Sequence, residues 1–285
     1  MTKVRRDFLM DDGVRIAADV YGPTANPPVL LAHGGGQTRH AWGGTARVLA
    51  RAGWHAIAYD HRGHGESGWS TAGDYSLDRL AEDLRTIARS FETPPVIIGA
   101  SLGGLAAMIG QGECEEELLS GVVLVDITPN MDRNGAMAVV RFMGQNVDDG
   151  FATLDEAADV IARYTGRPRR HNPEGLEKNL RLGDDGRYRW HWDPRFLDVT
   201  DDHTTTPERL MAATQNIRLP MLLVRGRMSD LVTEAVAREF LAAVPHAEYV
   251  DVENARHMVA GDRNDIFTEA VLTTLQRWSE TQRTV

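Results

Sequence analysis

"PPVIIGASLGGLAAMIG", residues 94–110, places a run of apolar, β-branched residues directly before a serine that is surrounded by small residues. This order predicts a buried strand, a sharp turn at Ser101 and a helix that begins at Leu102. Glycine adopts backbone angles that other residues resist, so Gly99 and Gly103 allow the strand and the helix to approach each other closely. A G-x-S-x-G pattern alone is weak evidence, but its place between a strand and an Ala/Gly-rich helix indicates an exposed, nucleophilic hydroxyl.

The composition excludes several classes of protein. The chain has 285 residues, of which 42% are hydrophobic and 25% charged, which is typical of a globular protein with a full core and room for an inserted subdomain. Its net charge of -10 argues against a nucleic acid partner. The single cysteine, Cys114, cannot form an internal disulfide, and we see no secretory signal or membrane-spanning run. We therefore expect a cytoplasmic protein without a membrane partner, and a homo-oligomer is compatible with the sequence.

Short apolar runs alternate with segments of helical period along most of the chain. The alternation predicts a mostly parallel sheet that is covered by helices on both faces. The predicted strands are residues 14–22, 27–34, 55–60, 94–100, 121–128, 220–226 and 247–253, and the predicted helices between them include 76–92, 233–244 and 265–280. In such sheets the active site lies at the carboxyl ends of the strands. Glycine-rich and polar stretches follow several of these ends: "HGGGQ" (33–37), "YDHRGHGES" (59–67), "RGRMSD" (225–230) and "ENARHMVAGD" (253–262).

A serine nucleophile needs a base, and the base needs an acid that orients it. His257 is the predicted base, because it follows the last predicted strand, whereas His246 precedes that strand and so lies at the wrong end of the sheet. Asp230 is the predicted acid, since it follows the strand at 220–226 within a short loop; Asp126, which also ends a strand, is the alternative.

The predicted oxyanion hole consists of two backbone amides. Leu102 supplies one at the start of the helix, where the dipole is positive. Gly35 in "HGGGQ" supplies the second, with Gly36 as a close alternative. His33 is interpreted as a structural hydrogen-bonding residue. The glycine run lacks the spacing of a phosphate-binding loop.

The stretches "LLAHGGGQTRHAW", "YDHRGHGES", "GASLGG", "LLVRGRMSD" and "ARHMVAGD" together resemble the α/β-hydrolase superfamily, in its epoxide-hydrolase, haloperoxidase and lactonase-like branch. The resemblance implies an eight-stranded, mostly parallel sheet with a mainly helical cap after the sixth strand. It divides the chain into a core (1–128 and 220–285) and a cap (129–219), and implies a triad of Ser101, Asp230 and His257. Epoxide hydrolases and haloalkane dehalogenases of this branch carry an aspartate nucleophile. Ser101 would form a dead-end ether, which disfavours those activities.

The central segment, residues 129–219, breaks the βα alternation. It contains two helical stretches and "LRLGDDGRYRWHWDPRF", in which Asp185 and Gly186 are suited to the turn of a hairpin. Five of its side chains are predicted to line a substrate pocket, or else to pack the cap onto the core: Phe142, Met143, Tyr188, Trp190 and Trp192. Such a pocket favours a largely apolar small molecule.

These observations predict a serine hydrolase that cleaves a carboxylic ester or a lactone through an acyl-enzyme and requires no metal or organic cofactor. A carbon–carbon bond hydrolase and a cofactor-free perhydrolase would use the same triad. A hydrolase-like ligand receptor is a third interpretation. A catalytically inactive interaction protein is disfavoured because every triad position carries a competent residue.

Overall fold

The computed structural model describes residues 2–166, 168–169, 173–201, 205–257, 259 and 264–282. Parts of two predicted regions, 255–262 and 129–219, lie outside the described residues. The strands are β1 (Val4–Leu9), β2 (Arg15–Tyr21), β3 (Pro28–Ala32), β4 (His55–Tyr59), β5 (Val96–Ala100), β6 (Gly121–Val125), β7 (Leu180–Leu182), β8 (Tyr188–Trp190), β9 (Met221–Gly226) and β10 (Ala247–Val252). The helices are α1 (Gly43–Arg51), α2 (Leu77–Arg89), α3 (Leu102–Gly112), α4 (Arg133–Met143), α5 (Leu154–Thr165), α6 (Pro207–Asn216), α7 (Glu234–Ala243) and α8 (Asn264–Gln282), with 3-10 turns at Arg39–Trp42, Pro173–Lys178 and Pro194–Asp201.

Eight strands form one twisted layer in the order β1-β2-β4-β3-β5-β6-β9-β10. The strands from β4 to β10 in this order pair in parallel, and β2 pairs antiparallel with both of its neighbours. Every residue of β3, β4, β6 and β9 is buried, as expected for strands with helices on both faces. The predicted eight-stranded, mostly parallel sheet flanked by helices is therefore confirmed.

The eighth strand, β1, has no counterpart among the strands predicted from the sequence. It forms the edge of the sheet, and Val4 and Leu9 are largely exposed there while Phe8 is buried. Three charged residues interrupt its six-residue sequence, VRRDFL. An edge strand has solvent on one side, so its sequence need not carry the continuous apolar run that marks the central strands.

Two helices of the core, α2 and α7, begin at side-chain caps. Ser76 accepts a hydrogen bond from the Arg79 amide at the start of α2, and Thr233 accepts one from the Val236 amide at the start of α7. The buried face of α2 includes Leu80, Leu84 and Ile87, which are spaced three or four residues apart, as in an amphipathic helix. No helix among the described residues is long and apolar enough to span a membrane.

The segment between β6 and β9 is inserted at the carboxyl edge of the sheet. It contains α4, α5, the three-residue strands of the β7–β8 hairpin and two of the 3-10 turns. The hairpin turns at Gly186 (φ +76°), as the Asp185-Gly186 pair predicts. Helix α6 lies within the predicted cap range but packs against core helix α3, where Asn216 donates a hydrogen bond to the Gly112 carbonyl.

Candidate active site

Ser101 occupies the sharp turn between β5 and α3. Its backbone has φ +46° and ψ -112°, a combination rare for a residue with a side chain. A Cβ atom on Gly99 would lie 2.5 Å from the Gly103 carbonyl carbon, and one on Gly103 would lie 2.6 Å from the Ala32 carbonyl oxygen. Only glycine fits these two positions. The turn is therefore built by close backbone approach, and it leaves Ser101 half-buried at the start of α3.

The imidazole of His257 is held by a carboxylate that ends β6. His257 Nδ1 lies 2.9 Å from Asp126 Oδ2, and the Asp126 side chain is completely buried. Asp126 Oδ1 accepts a hydrogen bond of 2.9 Å from the Gly226 amide. The Ser229 hydroxyl donates to Oδ2 at 2.5 Å. Three donors therefore surround the carboxyl group, an arrangement that suits its ionised form.

The prediction that Asp230 orients His257 is wrong. Its side chain is 85% exposed, and a carboxylate oxygen lies 3.9 Å from Arg256 Nη1 at the surface. Asp230 is four residues beyond the end of β9, so the loop turns its side chain outward, whereas Asp126 directly follows β6. Asp126, the alternative acid, is the residue that contacts the imidazole.

A backbone hydrogen bond places Ser101 next to the Asp126–His257 pair. Its amide donates to the Val125 carbonyl at 3.2 Å, and Val125 immediately precedes Asp126. Within the described part of the chain the Ser101 hydroxyl makes no hydrogen bond, so the contact with His257 that proton transfer needs is not formed in this structure.

Two backbone amides near Ser101, those of Gly35 and Leu102, are available to an incoming oxygen. The amides on either side of Gly35 are occupied, because Gly34 donates to the Gln37 side chain at 3.3 Å and Gly36 donates to His64 Nε2 at 3.2 Å. Among the described residues the Gly35 amide between them has no acceptor, and a Cβ atom on Gly34 would touch Ser101 Cβ at 3.4 Å. The Leu102 amide is the first of α3, where a helix supplies no acceptor of its own. Among the described residues the Gly35 amide is therefore available to an oxyanion, whereas the amide of the alternative, Gly36, already donates to His64.

Three buried histidines support the glycine loop. His61 donates its backbone N–H to His33 Nε2 at 3.0 Å, which confirms that His33 is a structural hydrogen-bonding residue. His64 Nε2 accepts from Gly36, so its Nδ1–H donates to the Arg62 carbonyl at 3.1 Å. Burial lowers the pKa of His64 to about 4 and holds the pKa of His33 and His61 well below the usual value. All three rings are therefore neutral at neutral pH.

These histidines predict a loss of stability in acid. Between pH 6.5, the ordinary pKa of histidine, and pH about 4, the His64 imidazole takes up a proton in the unfolded chain but stays neutral in the folded protein. The free energy of unfolding should therefore fall as pH decreases through this range, by up to about 1.4 kcal/mol per pH unit for each such histidine. Urea unfolding at a series of pH values measures the slope. His64→Gln should reduce the slope, whereas replacing the exposed His246 with Asn should not; an unchanged slope in His64→Gln would contradict the prediction.

A family model for the alpha/beta hydrolase fold matches residues 27–263. The chain is an α/β-hydrolase. It is 30% identical over 268 residues to Esterase Rv0045c of Mycobacterium tuberculosis, an alignment that covers 90% of this chain and 85% of that protein. It is also 26% identical to the 3-hydroxybutyrate-oligomer hydrolase of Cupriavidus necator, over 85% of this chain and 87% of that protein.

Solved structures share the architecture of this α/β-hydrolase. The M. tuberculosis esterase superposes with a TM-score of 0.74 at 26% identity, covering 97% of this chain and 93% of that one. An E-2-(acetamidomethylene)succinate hydrolase superposes with a TM-score of 0.81 at 22% identity, covering 96% and 100%, and shows the common fold. The predicted superfamily and the prediction of a hydrolase enzyme are confirmed.

The inserted segment of the α/β-hydrolase places two of its five predicted pocket residues against the glycine loop. A Cβ atom on Gly35 would lie 3.4 Å from Met143 Sδ, and one on Gly36 would lie 3.7 Å from Trp192 Nε1. Phe196, which the sequence analysis did not select, lies beside Met143 at the same loop. Its ring packs edge-on against His64, with centroids 4.8 Å apart.

The other three predicted pocket residues contact the inserted segment itself. Phe142 stacks on Tyr164 with centroids 3.8 Å apart. The buried Trp190 packs edge-on against Phe151 and donates from its indole N–H to the Gln145 carbonyl at 2.9 Å. Tyr188 pairs through its backbone with Phe151. For Phe142 and Trp190 these contacts favour packing within the insertion, the second interpretation offered by the sequence.

Proposed function

We propose that this α/β-hydrolase cleaves carboxylic esters or lactones of small, largely apolar substrates through an acyl-enzyme. The observation that carries the proposal is the contact between His257 and the buried Asp126 carboxylate, beside the strained turn at Ser101. Ser101 is the nucleophile, His257 the base and Asp126 the acid that orients the imidazole. The amides of Gly35 and Leu102 form the oxyanion hole.

Acylation begins when His257 Nε2 takes the hydroxyl proton of Ser101 while Oγ attacks the substrate carbonyl carbon. The required Ser101–His257 hydrogen bond forms in the reactive complex, as catalytic contacts often tighten only when substrate is bound. The carbonyl oxygen gains the negative charge and accepts hydrogen bonds from the two free amides. The bond to the leaving oxygen then breaks, and the imidazolium gives that oxygen its proton.

Deacylation repeats these steps with water. His257 accepts a proton from the water molecule as its oxygen attacks the acyl carbon, and the second tetrahedral oxyanion rests on the same amides. The bond to Ser101 Oγ breaks, and the proton returns to the serine. Asp126 stays ionised throughout, because its role is to hold the imidazole in one tautomer and to stabilise the imidazolium.

Two observations support the substrate class. Met143, Trp192 and Phe196 form an apolar cover over the glycine loop, which suits an apolar acyl or alcohol group. Two of the relatives are named an esterase and an oligomer hydrolase. We infer that the insertion acts as a cap over the site, with Met143, Trp192 and Phe196 as its contact residues.

A fluorophosphonate probe tests the proposal directly. We expect one equivalent of probe to attach to Ser101, identified by mass spectrometry of the tryptic peptide, since the probe reacts with an activated serine. Asp230→Asn should be labelled like the wild type, and heat-denatured protein should not be labelled. Absence of labelling, or labelling at another serine, would overturn the assignment.

A panel of p-nitrophenyl esters and lactones of graded size then measures kcat/KM. Product analysis with a dienoate substrate, and with acetate and peroxide, separates ester hydrolysis from the carbon–carbon cleavage and perhydrolysis that the same residues would permit. Turnover confined to either of those reactions would refute the ester assignment while leaving the nucleophile intact.

A further inference from the structure

Ser229 is a buried hydroxyl at the exit of β9, one residue before the exposed Asp230. Its side chain is 7% exposed. Its Oγ accepts hydrogen bonds from the Leu231 and Val232 amides at 3.1 and 3.2 Å. A hydroxyl has two acceptor sites and one proton, so with both acceptor sites used the proton is directed to Asp126 Oδ2 at 2.5 Å. The direction of this hydrogen bond is fixed by the loop.

The oxygen that Ser229 contacts is the one that holds the imidazole. Asp126 Oδ2 lies 2.9 Å from His257 Nδ1, while the other oxygen, Oδ1, is taken by the Gly226 amide. Gly226 and Ser229, at the end of β9, therefore each donate a hydrogen bond to one of the two Asp126 carboxylate oxygens. Rotation of the carboxylate about its Cβ–Cγ bond would break both contacts at once.

The same loop is fastened to the segment that carries His257. The Arg227 amide donates to the Val252 carbonyl at 3.0 Å, and the Met228 amide donates to the Ala255 carbonyl at 2.9 Å. A Cβ atom on Gly226 would lie 2.3 Å from the Arg256 carbonyl oxygen, so the two segments are in backbone contact. The loop thus fixes the carboxylate relative to the imidazole.

We propose that Ser229 is a positioning residue for the reaction: its hydroxyl orients the Asp126 carboxylate and shares the oxygen that attracts the His257 proton. This inference rests on the proposed function and adds to it a residue that acts through Asp126. Two consequences follow. Loss of the hydroxyl removes one of the three contacts that hold the carboxylate in this orientation, which slows catalysis. It also leaves Oδ2 with a single donor, so the imidazole beside it retains its proton to higher pH.

Ser229→Ala is the test, with ester hydrolysis followed from pH 4 to 9. We expect kcat to fall about tenfold to a hundredfold, which corresponds to the loss of one hydrogen bond to a charged group, while KM changes less than twofold. The acid limb of the kcat/KM profile should move to higher pH by roughly half a unit to one unit. Ser229→Thr keeps the donor and should restore both the rate and the acid limb. The neighbouring Asp230→Asn is the matched control and should behave like the wild type.

Proton NMR of the low-field signal from the His257 Nδ1–H provides a readout that does not depend on turnover or on the stability of the threonine variant. The signal should shift in Ser229→Ala and stay in place in Asp230→Asn. An unchanged signal, or a loss of kcat with an unmoved acid limb, would overturn the inference. If instead Ser101→Ala and Asp126→Asn keep full activity, the proposed function fails, and that result is distinct from a silent Ser229→Ala.

Discussion

Replacing Ser101 with alanine is expected to lower kcat for ester hydrolysis by about 10⁴- to 10⁶-fold, because no acyl-enzyme can form without the hydroxyl. Among the described residues that hydroxyl makes no hydrogen bond, so its removal costs the folded state little. The backbone strain at φ +46° is the same for alanine and serine. Steady-state rates with p-nitrophenyl acetate and a simple lactone measure the loss.

The control for this variant is its thermal unfolding, which should match that of the wild type within a few degrees. Fluorophosphonate labelling should vanish in Ser101→Ala. Full activity in a folded, unlabelled variant would show that another residue attacks the substrate, and the assignment of the nucleophile would have to be abandoned.

The second large effect is expected at the acid. Asp126→Asn should lower kcat by about 10³- to 10⁴-fold, because an amide in this place either repels His257 Nδ1–H or forces the imidazole into the wrong tautomer. Asp230→Asn should change kcat less than twofold, since that side chain is 85% exposed and lies at the surface, 3.9 Å from Arg256 Nη1. The two variants make the same chemical change at the two positions that the sequence offers for one role.

Both variants are measured at the same pH with the same ester, and circular dichroism verifies that each is folded. A loss of activity in Asp230→Asn together with an active Asp126→Asn would show that Asp230, in the loop after β9, is the acid that orients His257. Equal, small effects in both would show that His257 works without a carboxylate partner.

Much of the fold and of the site follows from short sequence patterns. Continuous apolar runs identify the central strands, because burial on both faces requires apolar side chains at every position. The turn at Ser101 is equally local: the backbone contacts of Gly99 and Gly103 exclude a Cβ atom, and such positions are visible as glycines in the sequence. His257 follows from its place after the last strand.

The acid did not follow from such patterns, because it depends on which way a loop turns. Both Asp126 and Asp230 come after a strand, and both lie between Ser101 and His257 in the chain. A usable signal was the distance from the strand end: Asp126 directly follows β6, the neighbour of β5 in the sheet, whereas Asp230 is four residues past β9. Ser229 left no such signal, since its role exists only through tertiary contacts.

The aromatic residues of the insertion show the same limit. Aromatic side chains dominate both cores and pockets, so composition does not tell a pocket wall from a packing contact. Phe142 and Trp190 find partners within the insertion, while Phe196 reaches the glycine loop from a 3-10 turn that the sequence analysis did not identify.

The start of α4 is in backbone contact with the loop that follows β9. The Asp132 amide donates to the Leu231 carbonyl at 2.9 Å, and a Cβ atom on Gly135 would lie 2.3 Å from the Asp230 carbonyl oxygen. Met143 is at the opposite tip, about 16 Å away along eleven helical residues. One helix therefore joins the loop that positions Asp126 to the glycine loop that carries the Gly35 amide.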